Sequence, residues 1–172
     1  SLGYTSVMVD GSHLTLAENV ALTRAVVAQA HDAGVWVEAE VGALAGDEDA
    51  STGVASGELT DPAQAAEFVD RTGVDVLAAA VGTVHGFTTS PVHIDLKRVE
   101  MIAKQTGVPQ ALHGASGLSN ADLTAAVKAG IAKVNINAEL RRAYLSTLAA
   151  ELPNVRDDVR VLQRKAIAAM AE

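Results

Sequence analysis

The stretch that decides the fold is Thr60–Val81, TDPAQAAEFVDRTGVDVLAAAV. Asp61 and Pro62 are typical of a helix start, where a polar cap residue precedes a proline in the first turn. Gly73 is typical of a helix end. The run Val74–Val81 that follows is apolar at nearly every position. A strand without a polar face is buried on both sides, as in a parallel sheet that is covered by helices.

The same alternation of strand and helix runs along the whole chain. Strands are predicted at Ser6–Asp10, Val35–Val41, Val74–Val81, Val108–Leu112 and Ile131–Ile136, with helices at about 14–33, 62–72, 95–105, 120–129, 137–152 and 155–171. This order predicts an α/β fold of right-handed βαβ units, either an open doubly wound sheet or a closed barrel. Neither a GxGxxG turn nor a P-loop is present to favour a nucleotide-binding open sheet. An eight-stranded barrel takes about 250 residues, so five units are expected to be part of one.

Composition narrows the classes of function. The 172 residues are 49% hydrophobic and 20% charged, which predicts a single packed domain. The net charge is −8 and Lys and Arg are not clustered, so a nucleic-acid partner is not expected. No apolar run approaches the roughly 20 residues of a membrane span. The chain has no cysteine, which is compatible with a reducing cytosol.

Polar side chains follow the predicted strands at their carboxyl ends, where parallel α/β folds place their sites. They are Asp10 and His13, then Glu38 and Glu40, then His85, His113 and Asn135. The two histidines that follow successive strands are expected to direct their imidazoles into one space. Imidazole suits zinc, and a catalytic zinc takes about three protein ligands. A third ligand is not evident, and the alternative is that each histidine is merely satisfied by a neighbour.

Two further segments favour an anion. Gly114–Gly117, GASG, can bring backbone N–H groups close to a phosphate, and Asn135–Ala138, NINA, ends a strand and opens a helix whose N-terminus favours negative charge. The alternatives are an ordinary glycine turn and an ordinary helix cap. Packing or capping is the expected role of His13, and a surface position in the last helical turn is expected for His31. Lys133 is predicted to begin a strand at the end of the sheet away from the site.

Five motifs, taken together and in this order, resemble the zinc-dependent (class II) fructose- and tagatose-bisphosphate aldolases. They are Val7–His13, VMVDGSH; Val37–Gly42, VEAEVG; Val81–Gly86, VGTVHG; Leu112–Gly117, LHGASG; and Lys133–Asn137, KVNIN. The resemblance spans nearly the whole chain. It implies a (β/α)8 TIM barrel, of which residues 1–172 form a single domain, the C-terminal portion with about five βα units and a final helix.

The resemblance also implies roles for individual residues. His85 and His113 match zinc ligands, Glu40 matches an alternative zinc ligand, and Glu48 matches an acid/base residue of a mobile loop. Asn135 matches a residue that contacts the ketose near its reacting carbons. Phosphate binding is implied for Gly86, Gly114, Ser116, Asn137 and Ala138, some of which are shared with a monovalent cation, Na⁺ or K⁺. Ala138 stands where the family usually has threonine.

The reaction implied is the reversible cleavage of a ketose 1,6-bisphosphate to dihydroxyacetone phosphate and an aldehyde phosphate, as in glycolysis. Zinc would polarise the C2 carbonyl and stabilise the enediolate, so no Schiff-base lysine is needed. The family's third zinc histidine and its catalytic aspartate are expected upstream of Ser6. A cytoplasmic homo-oligomer, a dimer or larger, is expected. The alternatives are another phosphate-binding metal-dependent barrel lyase or epimerase, and a non-catalytic truncated fragment.

Overall fold

A computed structural model describes residues 2–42, 59–86, 92–154 and 158–171. In these ranges five parallel strands form one sheet in the order β1-β2-β3-β4-β5. The strands are β1 (Ser6–Asp10), β2 (Trp36–Val41), β3 (Val76–Ala79), β4 (Gln110–Leu112) and β5 (Ile131–Val134). No described helix is both long enough and apolar enough to cross a membrane.

Helices alternate with the strands along the chain. They are α1 (Leu16–Asp32), α2 (Pro62–Thr72), α3 (Leu96–Thr106), α4 (Asn120–Ala129), α5 (Ala138–Glu151) and α6 (Val159–Ala169), with a 3-10 turn at Leu152–Asn154. The parallel α/β fold predicted from the sequence is therefore confirmed. Each element begins or ends within a few residues of its predicted bound; β1 has its predicted bounds, and β2 to β5 are shorter than predicted.

Local side chains explain where the helices begin. Thr15 and Glu18 form a reciprocal capping box at the start of α1, and Ser119 and Asp122 form another at the start of α4. In both, the hydroxyl accepts the backbone N–H of the acidic residue, whose carboxylate accepts the backbone N–H of the cap. Asp61 caps α2 by accepting from two backbone N–H groups. These caps satisfy donors that the first helical turn leaves without a partner.

The sheet has one face against the helices and one face that carries the polar side chains. On β2, Val37, Ala39 and Val41 are almost completely buried and belong to the hydrophobic core. The alternate residues Glu38 and Glu40 point to the opposite face, because successive side chains of a strand alternate. The core therefore lies between the sheet and the helices, and the second face is available for a site.

The register of the strands aligns one row of residues on that second face. Asp10 pairs with Glu40, Glu40 with Ala78, Ala78 with Ala111, and Ala111 with Lys133. The side chains of register partners in parallel strands lie on the same face. A register shift between β4 and β5 brings Lys133, rather than its neighbour, into this row.

The chain divides into two compact units, Ser1–Asn135 and Ile136–Glu172. The first contains the sheet and helices α1 to α4. The second contains α5 and α6, which contact each other. Of the helix predicted at 155–171, residues 155–157 lie outside the description and α6 covers Val159–Ala169, and the break predicted at Pro153 is the 3-10 turn.

Candidate active site

Strand β2 supplies two buried carboxylates. Glu38 and Glu40 are 5% and 2% exposed and lie two residues apart on the polar face of the sheet. Carboxylates are rarely buried unless they are paired. Their partner is the ring of His113, which is 5% exposed and follows the end of β4.

His113 lies between the two carboxylates. Its Nε2 is 2.8 Å from Glu38 Oε1, and its Nδ1 is 3.0 Å from Glu40 Oε2. Both distances are those of charge-assisted hydrogen bonds. In its charged form the ring donates to Glu38 from one nitrogen and to Glu40 from the other.

The protonation of this cluster follows from two opposing causes. Burial alone would lower the pKa of His113, but hydrogen bonds to Glu38 and Glu40 and their negative charges outweigh burial and raise the pKa to about 9. Burial alone would raise the pKa of Glu38, but hydrogen bonds from His113 and Lys133 and the charge of Lys133 lower it. A carboxylate and an imidazolium thus stabilise each other away from water.

His85 lies next to this cluster. Its ring centre is 6.1 Å from that of His113, and the two ring planes are inclined by 35°. The prediction that the two histidines enter one space agrees with this spacing. Their roles as zinc ligands stay a prediction.

The donors present match the chemistry of zinc, which binds imidazole nitrogen and carboxylate oxygen. Two donor atoms on one tetrahedral zinc lie about 3.3 Å apart, close to the 3.0 Å between His113 Nδ1 and Glu40 Oε2. Two imidazoles on one zinc hold their ring centres about 5 Å apart, roughly 1 Å less than those of His85 and His113 here. Within the described ranges, no group of three or more His, Cys, Asp or Glu side chains is arranged as a metal site. The residues present therefore fit part of a zinc coordination set.

Lys133 corrects one sequence prediction. It was expected to begin a strand far from the site, but it is the third residue of β5, next to the carboxyl end. Its Nζ is 2.6 Å from Glu38 Oε2. Asn135, two residues further on, has its Nδ2 3.5 Å from Glu38 Oε1. The long lysine side chain reaches the cluster because the register places its Cα on the row that contains Glu40.

The glycine turn after β4 packs tightly against the segment that carries His85. Gly114 has a φ of 63°, and a Cβ there would collide with the carbonyl oxygen of Val84. A glycine is therefore required both by the left-handed backbone and by the close approach. The turn continues into Ser116, which is 8% exposed. Gly86 and Gly114 thus flank the two histidines, where the sequence predicts phosphate binding.

Other predicted site residues fall elsewhere or outside the description. Asn137 and Ala138 belong to the second unit, in which Asn137 precedes α5 and makes no side-chain cap hydrogen bond. Glu48 lies outside the described residues. His13, for which packing or capping is expected, is exposed in a turn after β1, and the residue that caps α1 is Thr15. His31 is partly exposed in the last turn of α1, as predicted, and is paired with Asp75.

Glu38 and Lys133 are the functional candidates that sequence reasoning undervalued. Glu38 was noted at a strand end but received no role, and Lys133 was placed at the wrong end. The alternation of Glu38 with Glu40 in VEAEVG was the available signal, since two carboxylates buried on one strand need partners from other strands. The cation of Lys133 is one of those partners.

Histidines and carboxylates grouped beside the carboxyl end of a parallel α/β sheet lie where enzymes of this fold class place their active sites. The family model for class II fructose-bisphosphate aldolase matches residues 1–172. The chain belongs to this family, and the prediction made from the five motifs is confirmed.

Solved structures agree with this assignment. The chain is 38% identical to the YdjI aldolase from Escherichia coli K12, with a TM-score of 0.82, and the match covers 98% of this chain and 57% of the YdjI chain. It is 34% identical to a putative fructose-1,6-bisphosphate aldolase from Coccidioides immitis, with a TM-score of 0.86, over 96% of itself and 58% of that chain. Fructose-bisphosphate aldolase from Campylobacter jejuni shares the fold, at 24% identity and a TM-score of 0.73, over 96% and 55% of the two chains.

The chain thus spans somewhat more than half the length of the solved structures that it matches. Those relatives are aldolase TIM barrels, and the five parallel strands here are part of such a barrel. The predicted fold class is confirmed.

Proposed function

We propose that the full-length protein containing this chain catalyses the reversible aldol cleavage of a ketose 1,6-bisphosphate, of the fructose or tagatose type. The products would be dihydroxyacetone phosphate and an aldehyde phosphate. Family membership over residues 1–172 supports an aldolase, and the likeness to the putative fructose-1,6-bisphosphate aldolase from Coccidioides immitis supports a ketose bisphosphate as the substrate. The observation that carries the proposal is the buried group of His113, Glu38 and Glu40, with His85 adjacent, at the carboxyl end of a parallel sheet.

The proposed cofactor is zinc, held by His85 and His113, with Glu40 as an alternative ligand and a further ligand from outside the described residues. When bound, zinc supplies Lewis-acid stabilisation of the negative charge that develops on the substrate when the carbon–carbon bond breaks. The chain's own residues orient the ligands and exclude water. Glu40, 3.0 Å from His113 Nδ1, is proposed to contact the metal.

The turn after β4 is proposed to hold the substrate phosphate. Gly114 can let its backbone approach an anion closely, and the buried Ser116 hydroxyl adds a donor. Gly86 is proposed to contribute in the same way, and some of these groups to share a monovalent cation, Na⁺ or K⁺. Contact between Asn135 and the ketose is part of this proposal. Roles for Asn137 and Ala138 at the phosphate, and for Glu48 as an acid/base residue, stay predictions.

A cytoplasmic location and a homo-oligomer, a dimer or larger, complete the proposal. Both follow from the family resemblance. Light scattering on the purified full-length protein would give the oligomeric state, and a monomer at micromolar concentration would contradict that part alone.

The central experiment measures zinc content and aldol cleavage on the full-length protein. We expect one zinc per protomer by mass spectrometry and release of dihydroxyacetone phosphate from fructose or tagatose 1,6-bisphosphate. His85→Ala and His113→Ala should each lose the zinc and the turnover. His31→Ala, a histidine at the other end of the sheet, is the matched control and should keep both.

Different outcomes separate the alternatives. Bound zinc without cleavage of either sugar bisphosphate would favour another metal-dependent barrel lyase or epimerase. Absence of both zinc and turnover would favour a non-catalytic fragment. Retention of zinc in both histidine variants would refute the ligand assignment.

A further inference from the structure

We propose that Glu38 and Lys133 are positioning residues: Lys133 holds the Glu38 carboxylate, and Glu38 fixes His113 so that its Nδ1 is the ring nitrogen directed at the metal. This inference rests on the proposed function, in which His113 is a zinc ligand. It assigns a role to two residues for which the family resemblance implies none.

The two oxygens of Glu38 have different partners. Oε1 lies 2.8 Å from His113 Nε2, and Oε2 lies 2.6 Å from Lys133 Nζ. Asn135 Nδ2 approaches Oε1 at 3.5 Å, the limit of a hydrogen bond. Because each oxygen is engaged from a different side, the carboxylate cannot rotate without breaking a charge-assisted hydrogen bond. The side chain of Glu38 is 6% exposed, so water is a poor substitute for either partner.

Lys133 reaches Glu38 across two small residues. Ala78 and Ala111 are register partners on β3 and β4, and both lie on the face that carries the cluster. They are 0% and 2% exposed, and each presents a single methyl group. A larger side chain at either position would stand between β5 and β2. The row Glu40, Ala78, Ala111 and Lys133 therefore gives the lysine ammonium a path to the carboxylate.

The consequence for His113 follows from the two nitrogens of its imidazole ring. A histidine that binds a metal through one nitrogen carries its proton on the other, and a carboxylate that accepts this proton fixes the tautomer and the ring orientation. Glu38 accepts from Nε2. Nδ1 then faces Glu40, the alternative ligand in the proposed function, at 3.0 Å. Because Lys133 anchors Glu38, the Glu38 carboxylate still accepts the hydrogen bond from Nε2 when Nδ1 binds a metal in place of its proton.

A merely structural salt bridge would have the same distances, so the test needs readouts that only positioning would change. The variants are Glu38→Gln, Glu38→Ala, Lys133→Met and the double variant Glu38→Gln/Lys133→Met, all in the full-length protein. Asp75→Asn is the matched control, because Asp75 is the carboxylate of the other histidine pair. Zinc affinity is measured by competition with a chelator, and the histidine tautomers are read from long-range ¹H–¹⁵N spectra of the zinc-loaded protein.

We expect Glu38→Gln to weaken zinc binding by about 10- to 100-fold and to keep the Nε2–H tautomer of His113, since the amide oxygen still accepts. Glu38→Ala should weaken binding further and broaden or change the His113 tautomer signal. Lys133→Met should weaken binding several-fold. If Lys133 acts through Glu38, its effect should be much smaller in the Glu38→Gln background, because residues that act through one another are not additive. Asp75→Asn should leave zinc affinity unchanged.

Two results would overturn the inference. The first is wild-type zinc affinity in Glu38→Gln and Lys133→Met. The second is an additive double variant, which would show that Lys133 acts independently of Glu38. Should Glu38→Ala fail to fold by circular dichroism, the near-isosteric Gln variant and the half-exposed Lys133 decide the question. Failure of the proposed function is distinguishable, because His113→Ala would then retain zinc; loss of zinc in His113→Ala together with full affinity in the Glu38 variants defeats the positioning role alone.

Discussion

The two ends of the sheet each carry a histidine paired with a carboxylate at nearly the same distance. At the carboxyl end, His113 Nε2 lies 2.8 Å from Glu38, and at the amino end, His31 Nε2 lies 2.9 Å from Asp75. The side chains of the first pair are 5% and 6% exposed, and those of the second are 43% and 27% exposed. Burial rather than distance therefore separates a candidate catalytic pair from a surface one.

Burial matters because it removes the competing solvent. Water screens the His31–Asp75 pair, and exposed pairs of this kind contribute about 0–1 kcal/mol. Asp75 is also used structurally, since it accepts the backbone N–H of Val37 at 2.7 Å. At the carboxyl end, His113 has two carboxylate partners and little solvent, and its pKa is raised to about 9. The comparison predicts that equivalent substitutions at the two ends have different effects.

The largest expected difference in the free energy of unfolding is between removal of the carboxylate at the carboxyl end and removal of the one at the amino end. Glu38→Ala deprives the buried His113 and the ammonium of Lys133 of a common partner, and breaking a buried pair in this way costs about 3–5 kcal/mol. Asp75→Ala should cost about 1 kcal/mol, mainly the hydrogen bond from Val37. Equilibrium urea unfolding of the metal-free full-length protein measures both. Equal losses at the two sites would contradict the distinction by burial.

The second effect compares two glycines with nearly the same backbone conformation. Gly34, before β2, has a φ of 68° and nothing within 4 Å of a built Cβ, whereas Gly114, after β4, has a φ of 63° and meets the carbonyl oxygen of Val84. Gly34→Ala should cost about 1–2 kcal/mol from left-handed strain. Gly114→Ala should cost about 1–3 kcal/mol more, because the chain must also move aside.

The measurement is again the free energy of unfolding in urea, with both variants compared with wild type. Because the two positions share their φ, the difference between them isolates the close approach to Val84. A difference below about 0.5 kcal/mol would show that the turn after β4 relaxes freely and that its tight packing does not position His113.

Sequence patterns predicted the bounds of individual strands and helices, and the edge of the sheet that carries the histidines, better than they predicted contacts across the sheet. Apolar runs and helix caps are local signals, so β1 and α2 were predicted with their observed bounds. Histidines beyond successive strands were expected to converge, because parallel strands end at one edge. The distance of 6.1 Å between the ring centres of His85 and His113 confirms that these two histidines lie close together.

The position of Lys133 could not be predicted in this way. Its contact with Glu38 spans 95 residues and depends on the register of β4 and β5, which contains a shift. A strand predicted two residues too long, to Ile136 instead of Val134, placed Lys133 too far from the carboxyl end. Register across a sheet is set by packing rather than by the local sequence.

A third, smaller effect tests the space that the row of small residues provides. Ala111→Leu should lower stability by about 1–3 kcal/mol through overpacking and should separate Lys133 from Glu38. Ala132→Leu is the control, since Ala132 is exposed on the neighbouring strand and substitutions of that kind usually stay within about 0.5 kcal/mol. Urea unfolding measures the stability, and protection of the Lys133 amine from acetylation, read by mass spectrometry, reports the contact. Unchanged protection in Ala111→Leu would show that the lysine reaches Glu38 by another path.

The smallest effect is expected for the histidine at the amino end. His31→Gln removes the imidazole but leaves Asp75 able to accept from the backbone of Val37. The pair is partly exposed, so its loss should cost less than about 1 kcal/mol, and the cost should fall as salt is added. Urea unfolding at low and at high sodium chloride measures both quantities. Because His31 and Asp75 are as close as His113 and Glu38, a loss above about 2 kcal/mol that persists in high salt would show that burial does not set the strength of these pairs. Such a result would remove the argument that singles out the carboxyl end.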